Sequence, residues 1–366
     1  MKIDIHCHVA GNGKDIGNAD HDVFCYAEDN QHWFTRILYN LLETDLEKME
    51  ADLNRDGIIA TNEYFELLYR LFSESREIDN IVLLALDAVF STDTGRLDER
   101  KTDLWVSNSF LWKKVQELNS RLGKEADPAK RKKKFLFGAS VSPNRLNWEP
   151  ELDFVLNRTD AVLIKLIPST QHIDLKDDRH RDFFRSLSQA RMPLLCHVGP
   201  EYSFPEGIRN TRLDNFRNLE KLLESGVMVI AAHCASPVFP VVDRNVTKDF
   251  LAFMRSYNSS GDVRLWADIS ALSLSTRIPY IREIVDTFPP EWLVNGSDFP
   301  IPIDGWAHLP LVTHDVTAEE YISIYKTKNP FDRDVKIKRA HGFPDSILEN
   351  GAKVLRRNVL NKYLKQ

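Results

Sequence analysis

Lys2-Ile3-Asp4-Ile5-His6-Cys7-His8 decides how the rest of this 366-residue chain is read. It is a short, β-rich run that closes on two histidines. Residues two apart on a strand point to the same face, so both imidazoles share one side. Seven further runs follow: Asn80 to Leu86, Phe135 to Val141, Ala161 to Ile167, Pro193 to Val198, Val227 to Ala232, Val263 to Ile269 and Trp292 to Gly296. Near-continuous apolar runs suit strands buried on both faces, as in a parallel sheet. Helical patterns lie between them, among them Arg181 to Ala190, Asn215 to Glu224, Lys248 to Tyr257 and Ile278 to Phe288. Strand–helix alternation repeated eight times predicts an α/β fold, a (β/α)8 TIM barrel. A doubly wound open sheet is the alternative, but no G-x-G-x-x-G follows the first run to support it.

Two connections exceed the usual length. Segment 9–79 reads as a helical insertion after strand 1, with helical stretches around Trp33 to Met49 and Asn62 to Ser73. Segment 87–134 is the second, and both are expected to decorate the barrel mouth or rim. A terminal helix is expected over Ser346 to Tyr363. With no solenoid repeat or low-complexity linker, 1–366 reads as a single domain.

Lys and Arg number 48 against 54 Asp and Glu, a formal charge of −6. Such a chain has no global attraction for phosphate backbones, so nucleic acid is not an expected partner. The basic cluster at 130–134 reads as a solvated helix end. No apolar run approaches the ~20 residues a bilayer needs, and no apolar export segment precedes Ile3. Cys7, Cys25, Cys196 and Cys234 show neither zinc-knuckle spacing nor a disulfide framework. A cytoplasmic protein is the expectation.

Rare polar residues sit where the runs end. His6 and His8 close the first run, His197 the fifth and His233 the sixth, while Asn295-Gly296-Ser297-Asp298 follows the eighth. Lys165 lies inside the fourth. The C-terminal ends of the strands form the face that carries active sites in such barrels. Three histidines and an aspartate converging there make a nest for a divalent metal. A lone histidine after a strand is ordinarily structural; a whole set in one barrel mouth is costly unless paired or metal-bound.

These residues, with "LLCHVGPE", "VIAAHC" and "NGSDFP", resemble the amidohydrolase superfamily, and within it the branch of aminocarboxymuconate-semialdehyde decarboxylase-like metal-dependent hydrolases. The resemblance covers roughly residues 1–300 with gaps and omits the insert. It implies one metal, zinc by expectation, held by His6, His8, His197 and Asp298. In binuclear members a carboxylated lysine and the strand-six histidine hold a second metal, and Lys165 and His233 occupy matching positions. In mononuclear members that histidine is an acid/base group. An ion pair with a neighbouring carboxylate is the ordinary alternative for Lys165. The implied activity is hydrolysis through a metal-activated water, with Asp298 and His233 catalytic. Non-oxidative decarboxylation is the close alternative, and a non-catalytic metal-binding barrel the rival. A homodimer is expected by resemblance only.

Arginine forks suit carboxylates. Arg145, Arg209, Arg212 and Arg277 follow strand ends, which favours a small anionic organic substrate. Glu201, Tyr202, Trp306 and His308 are further candidates for the pocket. Separately, Asp52-Leu53-Asn54-Arg55-Asp56-Gly57-Ile58-Ile59-Ala60-Thr61-Asn62-Glu63 fits a calcium loop, with Asp52, Asn54, Asp56, Ile58 (backbone) and Glu63 as candidate ligands. A glycine-containing turn before a helix is the plainer reading.

Overall fold

The computed structural model describes residues 1–11, 23–25, 61–204, 209–259, 261–301, 303–313 and 315–364. Eight strands pair in chain order: β1 (Ile3–His8), β2 (Asn80–Leu84), β3 (Lys134–Ala139), β4 (Ala161–Leu166), β5 (Leu194–Cys196), β6 (Val229–Ala231), β7 (Leu265–Asp268) and β8 (Leu293–Val294). Every neighbouring pair is parallel. The sheet returns to β1 through Ile5 N to Asn295 O (3.0 Å), Asp298 N to His6 O (2.7 Å) and His8 N to Phe299 O (2.7 Å). The expected eight-stranded α/β barrel is therefore what forms.

Its packing follows the twofold period of a strand. Ile81, Leu83, Phe135 and Phe137 belong to the large apolar layer under the helices. The alternate residues Val82, Leu84 and Leu136 join Leu195, Ile230 and Trp266 in a separate cluster that fills the barrel. The helices α1 (Thr61–Glu74), α2 (Asn108–Leu122), α3 (Trp148–Arg158), α4 (Arg181–Gln189), α5 (Glu220–Glu224), α6 (Thr247–Tyr257), α7 (Ile278–Thr287), α8 (Pro330–Ala340), α9 (Ser346–Val354) and α10 (Arg357–Leu364) come from the intervening and terminal segments.

The terminal helix departs from expectation: it is two helices. Leu355 is extended (φ −70°, ψ 157°) and the Arg356 amide bonds Val162 O at 3.0 Å, at the start of β4. That break swings Leu355, Val359 and Leu360 into the barrel-filling cluster, where they plug its floor. Burial outweighs the continuous helical pattern. The basic cluster is also only partly solvated. The short helix Pro128–Lys132 buries nothing, but Lys133 is buried, with Nζ on Ile78 O and 5.0 Å from the Phe72 ring centre.

Within segment 9–79, α1 realises the helix expected from Asn62, and Tyr64 Oη donates to His8 O at 2.8 Å, fastening it to β1. Helix Trp33 to Met49 and the candidate calcium ligands Asp52, Asn54, Asp56 and Ile58 lie outside the described residues. Glu63 falls in the first turn of α1 and is exposed.

Leu355→Ala is expected to cost about 2–5 kcal/mol of folding free energy, as for other buried leucines. A lowered urea midpoint with an unchanged slope is the measurement that checks it.

Candidate metal centre

Backbone placement comes first. The pairing of β1 with β2 slips register between Asp4 and Cys7. At that bulge Asp4 Oδ1 accepts the His6 amide at 3.0 Å and the Ser297 amide at 2.9 Å. Bulges near barrel rims re-aim side chains. Gly296 permits the close approach of the β8 end: a Cβ there would lie 2.6 Å from His6 Cβ. His233 (φ 59°), Cys234 (φ 52°) and Asp298 (φ 64°) take the left-handed region, rare for side-chain-bearing residues and recurrent at functional sites.

From this frame His6 Nε2 and His8 Nε2 meet at 3.1 Å, and Asp298 Oδ1 stands 3.1 Å and 3.3 Å from them. Ligand atoms of these three residues all fall within 4.8 Å of one another; His6, His233 and Asp268 form a second such group. His197 belongs to neither group. Its ring stands 5.2 Å from that of His233, its Nδ1 lies 3.6 Å from Glu201 Oε2, and its buried Nε2 has no hydrogen-bond partner among the described residues. An orphaned buried imidazole nitrogen beside a His–His–Asp cluster is what a missing ligand bond leaves behind, so the residues fit a divalent metal. Lys165 Nζ is 3.0 Å from His6 Nε2 and forms no ion pair among the described residues, contrary to its ordinary reading.

Burial sets the charge states. It pulls His197 down to about 4, against the pull of Glu201, and lowers His8 and His233 as well. Burial also lowers Lys165 and Arg277. For Asp298 burial acts upward, but His6, His233 and His8 together outweigh it and hold the carboxyl well below its usual range. Neutral imidazoles and an ionised carboxylate are the forms that bind metal.

One residue bonded to the cluster escaped the sequence reading. Asp268, at the end of β7, accepts from His6 Nδ1 at 2.7 Å, from the His233 amide at 2.7 Å and from Ser270 Oγ. Ser270 Oγ in turn meets His233 Nδ1 at 2.8 Å. A carboxylate on Nδ1 fixes the tautomer that leaves His6 Nε2 free as a ligand. Its signal was a lone acid next to the end of the seventh run, after Leu265-Trp266-Ala267.

A cavity of about 120 Å³ opens over the cluster, lined by His8, His197, His233 and Asp298 together with Glu201, Tyr202 and Arg277. Arg277 is buried, and its Nε and Nη1 lack partners among the described residues. Arg145 is placed elsewhere, on Asp87 Oδ1 at 2.9 Å and over the Phe90 ring. Arg209 bonds Glu201 O, covers the Tyr202 ring and lines a neighbouring cleft with Arg212. His308 is buried against His341 (2.8 Å) and Ser273 O (3.2 Å), and Trp306 is 63% exposed; neither lines the cavity.

No family model matches this sequence, and no curated protein matches it. Among solved structures the chain is similar to Metarhizium anisopliae IDCase in apo form, at TM-score 0.51 and 11% identity, over 100% of this chain and 97% of that one. It is also similar to a putative 2-pyrone-4,6-dicarboxylic acid hydrolase from Pseudomonas putida (TM-score 0.49, 14% identity, 99% and 97% covered). An uncharacterized TIM-barrel protein from Bordetella bronchiseptica gives TM-score 0.49 at 12% identity, with 96% and 99% covered. At 11% identity the likeness to IDCase is one of fold alone.

Asp268→Asn is expected to weaken metal binding about 10- to 100-fold, the usual cost of losing an outer carboxylate. Chelator competition with zinc measures it; an unchanged affinity would remove Asp268 from the centre.

Proposed function

We propose that this chain is a metal-dependent hydrolase of the amidohydrolase type, acting on a small anionic organic substrate. The observation that carries the proposal is one cavity lined by His8, His197, Asp298 and Arg277, with buried His6 Nε2 3.1 Å from His8 Nε2; among the described residues His197 Nε2 and Arg277 Nε and Nη1 have no hydrogen-bond partner. His6, His8, His197 and Asp298 would hold one divalent ion, zinc by the nitrogen-rich donor set, with Lys165 and His233 in reserve for a second. Such an ion supplies a Lewis acid and makes water acidic near neutral pH.

The protein's own groups do the rest. Asp298, kept ionised, accepts the proton of an attacking water and returns it to the leaving group. Ser270 Oγ gives its proton to Asp268, so His233 Nδ1 donates to Ser270 and the neutral ring keeps a lone pair on Nε2, 3.8 Å from Asp298 Oδ2. Nε2 can share the proton that Asp298 takes from the water and then donate it to an oxygen gaining charge. Arg277 binds a substrate carboxylate, and Tyr202 and Glu201 shape the far wall. A second reading, non-oxidative decarboxylation, is favoured by the apolar walls of Leu86, Leu104, Ile167, Phe204 and Leu274. A dry wall strips water from a substrate carboxylate and so favours loss of carbon dioxide. The departing carbon dioxide leaves its electron pair on carbon, which then takes a proton that Asp298 or His233 Nε2 has drawn from water. Free, buried Cys7, Cys196 and Cys234 accord with a reducing, cytoplasmic setting.

Elemental analysis of the purified protein is expected to give about one zinc-like ion per chain, lost in His6→Ala and His8→Ala. Full metal in both variants would sink the assignment. With carboxylated lactones, amides and aromatic acids as the panel, His233→Asn is expected to keep the metal and lose about 10²- to 10⁴-fold in kcat. Arg277→Met is expected to raise KM about 10- to 100-fold, the worth of a charged hydrogen bond. Release of carbon dioxide rather than of a hydrolysis product would select the second reading.

A further inference from the structure

Outside the cavity lies a buried polar network that the proposed chemistry does not use. Lys338, on α8, is 3% exposed, and its Nζ makes three hydrogen bonds: to Asp334 Oδ2 (2.5 Å), Asn295 Oδ1 (3.0 Å) and Gly296 O (2.7 Å). Two of those acceptors belong to Asn295-Gly296-Ser297-Asp298, the segment that delivers Asp298 in its left-handed conformation. Asp334 is equally buried and takes Ser273 Oγ at 2.5 Å. Ser273 sits in the segment after β7 that carries Arg277, and its carbonyl is held by His308. The two segments also touch directly, Ala271 N to Ser297 O at 3.2 Å. One lysine and one aspartate thus clamp together the backbones that present Asp298 and Arg277.

A buried ion pair is a poor source of stability, since well-packed apolar residues commonly do as well or better. Its two-pronged grip on one short segment, with Asp334 as the third partner, is a better account of its presence. Resting on the reading of Asp298 as a metal ligand, we infer that Lys338 is a positioning residue: through Asn295 and Gly296 it sets the place of the Asp298 carboxylate relative to His6 and His8. Asp334 serves as its counterion and as the link to the Arg277 segment.

The test compares Lys338→Met with the double variant Lys338→Met, Asp334→Leu. The single change strands the Asp334 charge and is expected to lower Tm; the double change removes that charge and is expected to recover most of the loss. Zinc affinity by chelator competition is expected to fall about 10- to 100-fold in the double variant, as for other residues that orient ligands. In the metal-free double variant, the amides of Ser297, Asp298, Phe299 and Ile301 are expected to exchange with solvent at least about tenfold faster, since a loosened segment opens locally more often. A double variant with wild-type zinc affinity and wild-type exchange at these amides would overturn the inference and leave the pair merely structural. If wild-type protein binds no zinc, the metal reading falls by itself, and the exchange of the metal-free proteins still decides whether Lys338 holds the segment.

Discussion

The approach of β8 to β1 is the constraint on which the structure turns. Eight strands close into a barrel only if the last meets the first, and here the meeting is made by residues of the site itself. Asp298 N bonds His6 O, and Gly296 leaves no side chain between its own backbone and His6. Closure and ligand placement are therefore one event: the backbone bond that seals the barrel brings the Asp298 carboxylate within 3.1 Å of His6 Nε2. The bulge at Asp4–Cys7 completes the fit, because the interrupted ladder is repaired by Asp4 accepting both the His6 and the Ser297 amides. A single carboxylate thereby spans the seam.

Burial then decides the chemistry of the side chains placed there. Withdrawing an imidazole from water favours its neutral form, which is the form with a lone pair to give. The same withdrawal would neutralise Asp268 and Asp298 if they stood alone. They remain ionised because His6, His233 and Ser270 surround the first, and His6, His233 and His8 the second. Desolvation thus prepares nitrogen ligands, while local partners preserve the oxygen ligand.

The sequence disclosed the barrel because strands buried on both faces leave apolar runs that depend little on their neighbours; each strand falls within its run except β3, which starts one residue earlier, at Lys134. It pointed to His6, His8, His197, His233 and Asp298 as candidates because polar residues at the ends of such runs are costly without a purpose. What stayed hidden depended on partners far along the chain. Arg145 follows a strand end as Arg277 does, but Asp87, fifty-eight positions earlier, claims it. Lys338 reads as one more charge on an amphipathic helix, since nothing near it in sequence reveals that Asn295 and Gly296 lie above it. The break at Leu355 carries no proline or glycine, and only the unfilled barrel floor explains it.

Charge in the cavity bears on what it can admit. The chain carries a formal −6, so its general field repels anions, and recognition of the anionic substrate proposed above would have to be local. Around the centre, Asp268, Asp298 and Glu201 stand against Lys165 and Arg277, a formal excess of one negative charge. The proposed divalent ion among the histidines would reverse that excess, and Arg277, whose Nε and Nη1 have no partner among the described residues, would then face a centre no longer saturated with carboxylate. An anion entering the loaded cavity gains both the ion and the guanidinium, whereas in the empty one it meets Asp298 and Glu201. On the proposed function, metal binding and binding of an anionic substrate would in this way be coupled by charge alone, each favouring the other across a cavity whose apolar walls leave little water to screen them.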